Sequence, residues 1–232
     1  MSLASATIPV PVWFTLPEGF TEIALDAKPE DRAAQLGETL HHLYPSAPVF
    51  EKLTAVAATE IMIQELLAQG AISISTFMYK RADGELCSGM LSAFATEQNV
   101  QPISSFGERL LGELTSTADD LECGIIKLAI GPVVLASRDT QTPDFASLLG
   151  DEAQDQTVST QRQLEAYLPF PHGRSVLQLL FTTTDVEAWE DLLPVFAEVL
   201  NGVSFNPPKK NVDSPENEPR AAVSDWARKE FG

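Results

Sequence analysis

Residues 175–182, Ser-Val-Leu-Gln-Leu-Leu-Phe-Thr, constrain the fold more than any other segment. Side chains alternate between the two faces of a strand. Here one face carries Ser175, Leu177, Leu179 and Phe181, and the other Val176, Gln178, Leu180 and Thr182. Both sets are largely apolar, so this strand has to lie inside a sheet that is covered on both sides. A fold built around it therefore has at least three layers.

The remaining pattern supplies those layers. Residues 12–16 and 20–25 are β-prone, with Pro17 and Gly19 between them. Ala33, Leu36, Leu40 and Leu43 form one helical stripe after Pro29, and Pro45 ends it. A second helix is expected from an N-cap at Ser46, with Val49, Leu53, Val56, Ile63 and Leu67 as its stripe and Gly70 just past its end. Residues 72–81 and 85–96 read as a hairpin closed by Asp83-Gly84. Ser105 and Glu108 fit a capping box ahead of a helix carrying Leu110, Leu111 and Leu114. Strands follow at 123–128, 132–137 and 157–168; the last carries polar Ser159, Gln161, Gln163 and Glu165 in alternation. Thr184 and Glu187 fit a second capping box. The helix after it holds Trp189, Leu192, Phe196 and Leu200, with Pro194 expected to kink it. Residues 203–205 read as a short closing strand. The sum is about seven or eight strands and four helices. The fold class read from this is α+β, a central antiparallel β-sheet with helices on both faces.

Charge divides the chain. Acidic residues outnumber basic ones 33 to 15, for a formal net charge of −18. This excess disfavours nucleic acid and anionic membrane surfaces as partners. Residues 1–10 read as a flexible N-terminus and 11–206 as the globular domain. Within that domain, 138–156 reads as an acidic surface loop bearing Asp139, Asp144, Asp151, Glu152 and Asp155. Residues 207–219 read as a Pro-rich linker, and 220–232 as a C-terminal docking segment. The tail 207–232 has five basic residues (Lys209, Lys210, Arg220, Arg228, Lys229) and five acidic ones (Asp213, Glu216, Glu218, Asp225, Glu230). Residues 1–206 therefore carry the whole negative charge. Val223, Trp226 and, less neatly, Phe231 share a helical face beside Arg228, the residue types that anchor interfaces.

Chemical motifs are scarce. The histidines are His41, His42 and His172; two adjacent residues on a helix point about 100° apart and do not make a metal pair. There is no P-loop, dinucleotide-binding glycine pattern, nucleophile elbow or calcium loop. No cofactor, metal site or catalytic residue is expected. Cys87 and Cys123 read as reduced core thiols, with one disulfide between neighbouring strands as the alternative. The start of the chain lacks the basic and apolar regions of a signal peptide, and a cytoplasmic location is expected.

Two stretches carry a resemblance. Trp13-Phe14-Thr15-Leu16-Pro17-Glu18-Gly19-Phe20 is similar to a strand entering a P-x-G-F turn. Residues 177–182 running into the Trp189–Pro194 helix and then Val203-Ser204-Phe205 complete the pattern. In these the chain resembles the PsbP-like superfamily. That group includes a Ran-binding nuclear-import factor, photosystem accessory subunits, and bacterial DcrB-like and Eag-type effector chaperones. The resemblance implies an α/β/α sandwich and a binding or assembly role. The function expected is that of a non-enzymatic protein-binding accessory factor, adaptor or secretion-chaperone-like. Its partners would be proteins with basic or apolar contact surfaces, met by the acidic loop and by Val223, Trp226, Arg228 and Phe231. A structural subunit of a larger assembly and a small hydrolase with its site assembled across the sheet are the alternatives.

Overall fold

The computed structural model describes residues 12–81, 83–117, 120–143 and 158–207. Seven strands form one antiparallel sheet: β1 (Phe20–Glu22), β2 (Ala71–Lys80), β3 (Leu86–Glu97), β4 (Glu122–Leu128), β5 (Gly131–Pro143), β6 (Val158–Pro169) and β7 (Ser175–Thr183). Their order across the sheet is β1-β2-β3-β7-β6-β5-β4, so β7 occupies the centre. Four α-helices pack on this sheet: α1 (Pro29–Leu43), α2 (Val49–Ala68), α3 (Phe106–Thr117) and α4 (Trp189–Asn201).

The two faces of β7 lead to two different cores. Leu177, Leu179 and Phe181 meet α4 through Leu192, Phe196, Val199 and Leu200. An aromatic row crosses this face. Phe20 lies 5.4 Å from Phe77, Phe77 stacks on Phe181 at 4.7 Å, and Phe196 meets the Phe181 ring edge-on at 5.1 Å. Phe77 reaches Phe181 across β3 because its register partner there is Gly89. A Cβ on Gly89 would stand 2.3 Å from the Phe77 ring. The opposite face holds two separate clusters. Ile63 and Leu66 of α2 pack on Ile74, Met90 and Phe94, with Leu180 at the border. Phe106, Leu110 and Leu114 of α3 pack with Val100, Val134 and Val176. Floor between these clusters, on β7 and β6, is left without a helix over it.

Helices α1 and α2 are pinned by a buried ion pair. Arg32 donates to both Glu60 oxygens, at 3.1 and 2.5 Å, and to the Ala27 carbonyl at 2.5 Å. Burial pushes the Glu60 carboxyl up, but the hydrogen bonds from Arg32 and Gln64 and the Arg32 charge outweigh it. They hold the carboxyl below the ordinary carboxylate value.

Several local expectations are revised. α2 starts after Pro48, not after a Ser46 cap, since Pro48 is already extended and Val49 is the first helical residue. Ser105 donates to the Pro102 carbonyl inside a 3-10 turn, and Thr184 precedes another such turn at Val186–Ala188. Both supposed capping boxes are thus 3-10 entries. Residues 12–16 and 203–205 reduce to a single bridge, Trp13 to Ser204. α4 runs from Trp189 to Asn201 with Pro194 inside it. β5 continues to Pro143, so residues 138–143, assigned to the acidic loop, are strand. No helix among the described residues is long and apolar enough to cross a membrane.

Candidate functional site

Period-two alternation on β6 sends Gln161, Gln163, Glu165 and Tyr167 to the sheet face that carries α2 and α3; Tyr167 packs against the α3 cluster, and the other three line the stretch between the helices. Glu165 is opposite Ala136 on β5 and Leu180 on β7. Three side chains converge on its carboxylate. Arg138 Nη2 donates to Oε1 at 3.1 Å, Gln178 Nε2 donates to Oε2 at 3.0 Å, and the Tyr167 hydroxyl donates to Oε2. The network continues through Arg138 Nε to Gln163 Oε1 at 3.4 Å, and from Gln163 Nε2 to Gln161 Oε1 at 2.9 Å. Glu165 is buried at 7% exposure, while the Arg138 end is open to solvent. Burial raises the Tyr167 phenol, and the Glu165 hydrogen bond and charge raise it further, so it stays a protonated donor.

Around this network the sheet face is hollow. One hollow of about 600 Å³ lies between α2 and the far end of β6, over Met62, Leu66, Met90 and Leu180, with Thr142, Ser159 and Gln161 on its other side. A second of about 880 Å³ holds Phe94, Glu97, Arg138, Glu165 and Gln178. Both share Gln69, Gln163 and Leu180, so they form one groove. Each volume falls in the range of ligand-binding clefts. A floor of amide and hydroxyl side chains with an apolar edge at Met62, Leu66, Met90, Phe94 and Leu180 can take up apolar side chains while pairing both donors and acceptors.

No family model, curated protein or solved structure matches this chain. The groove is therefore read from its own chemistry.

Among the described residues neither cysteine is an activated nucleophile. Cys87 and Cys123 are free, and β7, β6 and β5 stand between their strands. Burial raises the Cys87 thiol, and the Asp185 charge adds to it. Cys123, opposite Ala136 on the groove side of the sheet, is raised by burial and then by Glu165. Both stay protonated near neutral pH, contrary to what a nucleophilic cysteine needs. His41 and His42 are exposed at the end of α1. His172 is exposed in the β6–β7 turn, stacked on Phe170 at 5.5 Å, and accepts from the Arg174 amide at 3.1 Å. None of the three lines the groove. Among the described residues no three His, Cys, Asp or Glu side chains gather as a metal site.

The sequence-selected residues lie elsewhere. Asp139 is on β5, on the α4 side, where Arg162 grips it through two hydrogen bonds of 2.6 and 2.7 Å. Arg162 in turn sits 5.4 Å from the Trp189 ring centroid. The Arg162 hydrogen bonds hold the Asp139 carboxyl below its ordinary value. Asp139 is thus engaged within the fold. Asp144, Asp151, Glu152 and Asp155, and Val223, Trp226, Arg228 and Phe231, lie outside the described residues. Sequence reasoning missed Arg138, Tyr167 and Gln178 as site residues. A signal was present in the polar alternation of β6: a polar face on the strand beside a two-sided apolar one marks where a covering helix is missing.

Proposed function

We propose that this chain is a non-enzymatic protein-binding accessory factor, adaptor or secretion-chaperone-like, whose sheet groove receives a polypeptide segment of a client protein. One observation carries the reading: a groove over β7 and β6 whose floor is mainly amide, hydroxyl and charged side chains able to pair a peptide backbone, joined to an apolar edge from α2 and β3 (Met62, Leu66, Met90, Phe94), with the Arg138–Glu165–Gln178 network on that floor. Such a lining suits an extended, uncharged or basic segment with alternating apolar side chains. The net charge of −18 would draw a basic client and raise its association rate more than its affinity. An antiparallel sheet with helices packed on it supports the PsbP-like α/β/α sandwich as the finer fold reading. The segment with Val223, Trp226, Arg228 and Phe231 would act as a second docking element.

Affinity purification from native lysate, with binding then measured on the purified partner, tests this. Gln163→Trp fills the groove from an intermediate-exposed strand position. It should abolish one partner while leaving the thermal midpoint close to wild type. A partner that Gln163→Trp retains but Trp226→Ala with Phe231→Ala loses would refute the groove and move the site to the tail.

A further inference from the structure

A second concavity lies between α1, α2 and the β1–β2 end of the sheet. It is a cleft of about 130 Å³ and shares no lining residue with the groove. Ile23, Leu36, Val56 and Ile63 make it apolar, and Ala24 and Ala33 leave space by contributing only methyl groups. The Arg32–Glu60 pair also lines it, with Arg32 at 7% exposure. On the sheet side the cleft is polar. Thr21 and Thr76 are register partners, two residues from Ile23 and Ile74, which pack under α2, so all four share that face. Thr59 of α2 lines the cleft with them. Thr39 of α1 donates its hydroxyl back to the Gln35 carbonyl at 3.0 Å. The hydroxyls of Thr21, Thr59 and Thr76 have no hydrogen-bond partner among the described residues.

We propose that this cleft binds a small neutral molecule that joins an apolar ring or short chain to one hydroxyl group, a monocyclic phenol being representative of the class. Size sets the first limit. An apolar protein cavity of about 150 Å³ takes up benzene, so this one admits a single ring of that order. Charge sets the second. Arg32 and Glu60 satisfy each other, so an ion entering the cleft gives up its hydration and meets no unpaired charge of opposite sign inside. The threonines set the third. A wholly apolar ligand would cover the half-buried hydroxyls of Thr59 and Thr76 and leave them unpaired. One ligand hydroxyl both donates and accepts, so it pairs with two threonine hydroxyls at once. A few convergent polar groups in an apolar wall are what orients a small ligand. The ion pair that pins α1 to α2 also fixes the cleft before the ligand arrives.

Amide chemical shifts of the full chain, followed by NMR as phenol, benzene or benzoate is added, test this. Phenol should shift the amides of Ala33, Thr59 and Thr76 saturably, with a Kd of about 1 mM or tighter, within reach of so small a ligand. Benzene should bind several-fold more weakly at the same amides, and benzoate should leave them unmoved. Thr59→Val and Thr76→Val keep the side-chain shape and remove one hydroxyl each. Combined, they should lower phenol affinity by about threefold to tenfold and leave that of benzene no weaker, so that the preference for phenol disappears. Ala33→Phe fills the cleft and should abolish the phenol shifts. Wild type without saturable phenol shifts at these amides up to about 20 mM overturns the proposal, and the cleft then holds water alone. Benzoate binding as tightly as phenol overturns it too, as does a preference for phenol over benzene that survives both valines. So does phenol binding retained in folded Ala33→Phe protein; should that variant not fold, the valine pair alone decides.

Discussion

The groove and the α4 face each hold a carboxyl group drawn partly or wholly out of water. Glu165 is buried, and its cost is offset by three donors, of which Tyr167 and Gln178 have few other partners. Leaving a buried donor unpaired costs about 1–3 kcal/mol, whereas losing one of three donors to a retained carboxylate costs about 1 kcal/mol. Glu165→Leu should therefore destabilise the fold by more than Tyr167→Phe in urea titrations, and an inverted ranking would remove the network's structural role. Glu198 on α4 has no such donor among the described residues. Burial alone raises its carboxyl above the ordinary value. A raised carboxyl contributes stability below its unfolded pKa, and that contribution is lost as pH rises through the folded value. Glu198→Gln should thus raise the thermal midpoint at neutral pH, with the gain vanishing in acid. A gain that is constant with pH would mean that charge is not its cause.

Elements whose pattern faced a core were legible in the sequence, and elements without one were not. β7 could be placed at the centre because Leu177, Leu179 and Phe181 on one side and Val176 on the other are buried, with Leu180 half-buried where the groove opens. The far part of β5 reads as loop because residues 140–143 pair only with residues 158–161 of β6, past the last β4 and β7 pairs. A two-stranded ribbon with no layer over it has no apolar alternation to betray it. The groove was hidden for another reason. Arg138, Glu165 and Gln178 come from three strands, and only the register Arg138–Gln163 with Glu165–Leu180 brings them together. Gly89 shows how tightly that packing is specified between strands. A Cβ there would lie 2.2 Å from the Thr182 carbonyl oxygen, a backbone atom of β7. Gly89→Ala should destabilise by about 2–3 kcal/mol, the upper part of the overpacking range. The urea midpoint should fall at an unchanged m-value. Near-wild-type stability would show that β7 can shift without disturbing the Phe77–Phe181 stack.

Over the whole molecule, two opposing pH dependences meet. Glu60 and Asp139 have folded pKa values below their ordinary ones. Their contribution is complete above the ordinary carboxylate range, about pH 4, and is lost as pH falls through the lower folded values. Glu198 acts in the reverse sense, and the self-repulsion of a chain at −18 also grows with pH. From neutral pH downward, relief of repulsion and protonation of Glu198 come first; loss of the Arg32–Glu60 and Arg162–Asp139 pairs comes later. The thermal midpoint should therefore rise on mild acidification and collapse only below the ordinary carboxylate range. Salt should raise the midpoint most on the neutral side, where screening removes the largest repulsion. Calorimetry over a pH series at two salt levels decides it. Protein concentration must be held fixed, because any self-association would itself add a concentration-dependent stabilisation. A midpoint that declines steadily from neutral pH into acid would show that the two ion pairs outweigh the net charge throughout. The acidic surface would then be too well dispersed to repel itself, and equally poor at steering a basic client.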